Sequence, residues 1–102
     1  MPNFVEIRRV TVIADSAIEQ DLIDMFYRAG AKGHTAMSCA GKGQHGVVHD
    51  PYGGQNLVKL EVLAGKEVAE AIMEQVHGPH FKRYPIICFM DVVVAHADAK
   101  FY

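Results

Sequence analysis

The run Ile86-Ile-Cys-Phe-Met-Asp-Val-Val-Val-Ala95 constrains the fold more than any other stretch of this chain. Successive side chains of a strand point to opposite faces of its sheet, so a segment apolar at both parities asks for cover on both sides. Its β-branched content favours a strand over a helix. Asp91 interrupts the run, and a carboxylate among apolar side chains is costly unless water or a partner meets it. The sequence does not name that partner.

The segments upstream supply cover for one face. Residues 5 to 14 (VEIRRVTVIA) read as a first strand whose apolar phase shifts between Ile7 and Val10, at Arg8 and Arg9. Ser16-Ala-Ile-Glu19 has the spacing of a capping box, and Ile18, Leu22, Met25, Phe26 and Ala29 then recur at helical spacing until Gly30. A second strand is expected over His34–Ala40 and a third over Leu57–Leu63, with Val58, Leu60 and Val62 on one face. Lys66 to His77 repeats the helical pattern through Val68, Ile72, Met73 and Val76 and stops at Gly78-Pro79. The order βαββαβ predicts an α+β, ferredoxin-like sandwich, one domain over residues 1–102, with both helices on one sheet face. The other face of the last strand then asks for a second copy of the chain.

Composition removes several classes of function. The 102 residues are half apolar and 22% charged, as in globular proteins, and no apolar run approaches a membrane span. MPNFVEIRRV lacks a signal-peptide layout, so a cytoplasmic protein without membrane insertion is expected. A net charge of −2 and a pI near 6.3 argue against a broad basic surface for nucleic acid. Cys39 and Cys88 are too few and too far apart for a disulfide framework and are expected as reduced, packed thiols.

Between the second and third strands lies a connection of about sixteen residues, Gly41 to Asn56, far longer than a hairpin requires. Gly41-Lys-Gly43 lets a backbone approach a ligand closely and sets a cation beside unhindered N–H donors, the chemistry an anionic phosphate needs. It has neither the P-loop spacing nor a strand-to-helix context. A second cationic group, Lys82 and Arg83, stands in Gly78-Pro-His-Phe-Lys-Arg-Tyr-Pro85. Taken alone, Lys82 and Arg83 read equally well as solvated charges at a strand entrance. An oligomer that set one chain's loop against its neighbour's would join Lys42 to Lys82 and Arg83 in an intersubunit anion pocket.

Other candidates are weaker. His45, His49 and Asp50 share the loop and could bind a divalent ion, though their spacing fits no specific metal geometry. That leaves open a divalent-metal-binding ferredoxin-like trimer of the copper-tolerance type as the alternative function. His34 and His96 read as packed or rim residues. Ser38 and Cys39 lack an identifiable base and orienting group, so no enzyme is indicated. Tyr52, within Asp50-Pro-Tyr-Gly-Gly54, reads either as an exposed recognition side chain or modification target, or as the surface aromatic of ordinary turn chemistry.

Gly33-His-Thr35 followed by Gly41-Lys-Gly43 resembles the arrangement in PII signalling proteins, where a GxT opens the second strand and a GxG forms the base of the T-loop. The resemblance spans nearly the whole chain, and GKGQH with DPYGG and FKRY is most similar to the carboxysome-associated and bicarbonate-transporter-regulating PII-like branch. It implies a non-enzymatic homotrimer that binds ADP or AMP in the clefts between subunits. On that transfer Thr35, Gly41, Lys42, Gly43 and Gln44 line the cleft at the loop base, and Lys82 and Arg83 contact phosphate. His45, Gly46 and Tyr52 would belong to the bicarbonate-responsive or switching part of the T-loop, and a transporter or carboxysome-related protein would be the partner. The GDGK-type turn of nitrogen-regulating relatives is replaced here by GPHFKRYP, so sensing through ATP, magnesium and 2-oxoglutarate is not carried over.

Overall fold

Two strands of very different exposure flank a buried pair in the computed structural model, which describes residues 3–41 and 56–98. The elements are β1 (Phe4–Asp15), α1 (Glu19–Arg28), β2 (Thr35–Cys39), β3 (Leu57–Ala64), α2 (Lys66–Val76) and β4 (Ile87–His96). They form one antiparallel sheet in the order β2-β3-β1-β4, with β2 and β4 at its edges. This is the βαββαβ order expected of a ferredoxin-like sandwich, with each element within one or two residues of its predicted bounds.

The register assigns the faces. Val10 pairs with Val62 and Met90, and Val12 with Leu60 and Cys88, so these residues share the face under the helices. Leu22, Met25 and Phe26 of α1 and Ala69, Ile72 and Val76 of α2 bury against Val10, Val12, Val58, Leu60 and Val62 in one apolar core. Phe81, after α2, closes the end of that core. Cys88 packs there too, its Sγ 3.3 Å from Met73 Sδ, and burial pushes its thiol up to about 11. Both cysteines are free thiols.

The β1–β4 register runs from Phe4 opposite His96 to Ile13 opposite Ile87 with no slipped residue, so the phase change at Arg8 and Arg9 is not a bulge. Both parities of β1 are instead buried at its centre, Thr11 as fully as Val10 and Val12. The start of the first helical segment differs from the capping-box expectation. Asp15, not Ser16, is the cap: its carboxylate accepts from the Ala17 N–H at 2.8 Å and opens a short 3-10 turn over Ser16–Ile18, so α1 begins at Glu19. Gly30 ends α1 as expected, at φ 113°, with Ala31 N–H donating to Phe26 O and Gly30 N–H to Tyr27 O. A Cβ at Gly30 would stand 3.0 Å from Val68 Cγ2, so the residue also permits close packing of the helix end on α2.

The opposite sheet face carries Ile87 and Phe89 of β4 at 52% and 48% exposure, together with Met37 of β2. Val92 and Val94, of the other parity, are also exposed. The expectation that β4 is apolar toward both sides is met. Within one chain the helices cover a single side.

Candidate functional site

The open sheet face holds a cleft of about 260 Å³ where β2 begins. Gly33, His34 and Thr35 form its wall at the sheet edge; Glu61 and Leu63 of β3, Arg9 of β1 and residues 93–95 of β4 form the rest. The register explains the gathering. Thr35 pairs with Glu61, Glu61 with Thr11, Leu63 with Arg9, and Arg9 with Asp91, so these side chains share one face across all four strands.

Two of the polar groups at the cleft are held from outside it. Arg9 binds Asp91 side-on, Nε donating to Oδ1 at 3.0 Å and Nη2 to Oδ2 at 2.6 Å. This is the partner that the isolated carboxylate of β4 requires. The hydrogen bonds and charge of Arg9 hold the Asp91 carboxyl below the usual carboxylate range, although both side chains remain about 40% exposed. His34 Nδ1 lies 2.9 Å from the Tyr27 hydroxyl, and the two rings meet edge to face at 5.7 Å. Tyr27 stands in the last turn of α1, so the helix braces the Gly33-His-Thr35 segment. Glu61 faces Lys59 Nζ at 3.6 Å.

Of the residues expected at the site from sequence, the structure describes Thr35, Gly41, Lys82 and Arg83. Thr35 opens β2 and lines the cleft. Gly41 follows the same edge strand and is exposed. Lys82 and Arg83 are exposed in the turn between α2 and β4, where Phe81 N–H donates to Gly78 O and Tyr84 N–H to Phe81 O. Arg83 lies over the Tyr84 ring at 5.8 Å. That turn leads into β4, whereas Gly41 leaves β2, so the two cationic segments belong to opposite edges of the sheet. A single chain does not bring them together through its sheet. Lys42, Gly43, Gln44, His45, Gly46 and Tyr52, as well as His49 and Asp50, lie outside the described residues. Among the described residues no group of three His, Cys, Asp or Glu is placed to hold a metal ion, and no helix is long and apolar enough to cross a membrane.

Sequence reasoning missed Arg9, Glu61 and Leu63 as cleft residues. Their signal is alternation: each stands at the parity of its strand opposite the helix-covered side, but only the register between strands shows that they meet.

Comparison with known proteins places this geometry in a family. The family model described as nitrogen regulatory protein P-II matches residues 7–99. A search of curated proteins found no match. Among solved structures, one described as a PII-like signalling protein from Thermus thermophilus is 28% identical with a TM-score of 0.80, covering 99% of this chain and 100% of that one. The CPII protein of Thiomonas intermedia K12, solved bound to ADP and bicarbonate, is 22% identical with a TM-score of 0.80, covering 97% of each chain. The same CPII, described as a nitrogen regulatory PII-like protein and bound to ADP, AMP and bicarbonate, gives 21% identity and a TM-score of 0.77 over 94% of this chain and 99% of that one. With the fold, the GxT-type strand start and a family match across nearly its whole length, the chain belongs to the nitrogen regulatory protein P-II family.

Proposed function

We propose that this protein is a non-enzymatic sensor that assembles as a homotrimer and binds ADP or AMP in the clefts between its subunits. The observation that carries the reading is the cleft on the open sheet face, walled by Gly33, His34 and Thr35 and left uncovered by the chain's own helices. A nucleotide there meets apolar surface from Leu63 and polar groups from Thr35 and Glu61. The loop base, Gly41 to Gln44, and the basic turn with Lys82 and Arg83 supply phosphate contacts. Their origin at opposite sheet edges favours contributions from two neighbouring chains rather than one. The half-exposed Ile87 and Phe89 give the second copy an apolar surface to bury.

The loop between β2 and β3 is the reporter. Ligand binding shifts it between conformations because the ligand binds one of them more tightly; equal affinity for both would shift nothing. The CPII complexes with ADP, AMP and bicarbonate support a coupling to inorganic-carbon metabolism, with a transporter or carboxysome-related protein as the reader of the loop in the cytoplasm. His45, Gly46 and Tyr52 belong to that reporting segment.

Isothermal titration of ADP, AMP and ATP tests the reading. Lys42→Ala should weaken ADP binding by roughly tenfold to a hundredfold, the range expected for losing a hydrogen bond to a charged group, with little change in melting temperature. Equal affinity in mutant and wild type removes Lys42 from the site. Failure of every adenine nucleotide to bind the wild type removes the function.

A further inference from the structure

His34 joins the cleft from the connection between α1 and β2, and a single residue holds its ring. Tyr27 places its hydroxyl 2.9 Å from His34 Nδ1 and meets the imidazole edge to face, with the ring planes 84° apart. The brace is itself fixed, because Gly30 turns the chain at φ 113° and its N–H donates to Tyr27 O. Of the two groups the phenol is the stronger acid, so its O–H donates and Nδ1 accepts. A neutral imidazole whose Nδ1 accepts carries its proton on Nε2. Among the described residues no other hydrogen bond reaches the ring, which leaves Nε2–H as a donor for a ligand. The sequence reads His34 as a packed or rim residue; the structure makes it part of the cleft wall. The remaining lining suits a heterocyclic base better than a phosphate. Leu63, Val93, Val94 and Ala95 offer apolar surface, and Arg9, the one cation among the described lining residues, is paired with Asp91.

We propose that His34 is a specificity-determining residue for the base of the bound nucleotide, its Nε2–H donating to a ring nitrogen of the purine, and that Tyr27 is the positioning residue for that donor. This inference rests on the nucleotide reading of the same cleft. The ring nitrogens 1, 3 and 7 of adenine are uncharged acceptors, for which a neutral donor in a fixed plane is the matching group. Without the Tyr27 hydroxyl the imidazole is free to rotate and to carry its proton on either nitrogen. Part of the population then turns an acceptor toward the base, and the hydrogen bond is lost there.

The test titrates the full-length protein, at a pH of about 8 so that histidine charge plays no part, with ADP and with ADP analogues in which ring nitrogen 1, 3 or 7 is replaced by C–H. His34→Ala is expected to weaken ADP binding about threefold to tenfold, the range for one neutral hydrogen bond. His34→Gln, whose amide nitrogen reaches the same place, is expected to stay within about twofold of wild type. Tyr27→Phe removes one exposed oxygen and is expected to cost about threefold in the wild-type background and nothing in His34→Ala, as coupling through a single residue requires. One of the analogues should lose the same factor in wild type and bind His34→Ala as ADP does. Wild-type affinity for ADP in either His34→Ala or Tyr27→Phe overturns the inference, and so does a loss in His34→Ala that none of the analogues reproduces; the nucleotide reading stands in each case. Should His34→Ala fail to fold, Tyr27→Phe carries the test, and unchanged ADP affinity in it overturns the inference. If ADP does not bind the wild type, both readings fail.

Discussion

On the helix side of the sheet, Val10, Val12, Leu60 and Val62 lie buried under α1 and α2, and every layer of contact comes from the chain itself. On the other side, Ile87, Phe89 and Met37 stand half exposed around a floor that also carries Arg9, Asp91, Lys59 and Glu61. The first face is made of side chains whose only interaction is packing. The second mixes apolar surface with charges already paired in the plane of the sheet. Burying a charge is tolerable when it is paired and hydrogen-bonded, so the pairing of these charges lowers the cost of covering this face. One face holds the buried core, and the other leaves apolar side chains and paired charges exposed.

Substitutions on the two faces should therefore fail differently. Phe26→Ala removes a fully buried ring from the helix side and should cost about 3 to 5 kcal/mol, read as a fall in the urea midpoint at unchanged slope. A loss below about 1 kcal/mol would show that this core is not the main source of stability. Phe89→Ser, on the other face, should cost the isolated fold only about 1 kcal/mol, since the ring is half exposed, yet should dissociate the proposed homotrimer in sedimentation velocity. An unchanged sedimentation coefficient would break the contrast between the faces.

The smallest effect belongs to the Arg9–Asp91 pair. Its carboxyl titrates lower in the folded chain than in the unfolded one, so its contribution is present above the unfolded value of about 3.9 and is lost as the pH falls through the folded value. The stability of Asp91→Asn should accordingly lie slightly below that of wild type at pH 6 and converge on it in strong acid. Exposure and salt keep the difference small. A gap that widened toward low pH would reverse the sign and remove the pair as its cause.

The elements were legible because each depends on neighbours in sequence. Helical spacing from Ile18 to Ala29, the stop at Gly30 and the alternation of Val58, Leu60 and Val62 all operate within a dozen residues. The cap was displaced by one position, since Asp15 offers the same acceptor chemistry as Ser16 and the chain chose the residue that leaves β1 directly. The family was legible in Gly33-His-Thr35 and Gly41-Lys-Gly43. The cleft floor was not, because Arg9 and Asp91 are 82 residues apart and meet only once β1 and β4 are in register. Asp91 announced a need for a partner, but both Arg8 and Arg9 were available to an equal reading. The register alone puts Arg9 opposite it.

The lengths of the two edge strands carry one last consequence. β4 is ten residues long and lies against β1 along that whole length, whereas β2 has five residues, all paired with β3 on a single side. The wall formed by Gly33, His34 and Thr35 thus hangs from the shortest ladder in the sheet, braced from behind mainly by the Tyr27 hydroxyl. Local opening of a fold follows its least-supported backbone, so this edge has the smallest free energy to give up. A molecule that spanned the cleft from Arg9 to Thr35 would join the longest strand pair to the shortest, and its binding energy would clamp the edge from which Gly41 and the long loop depart.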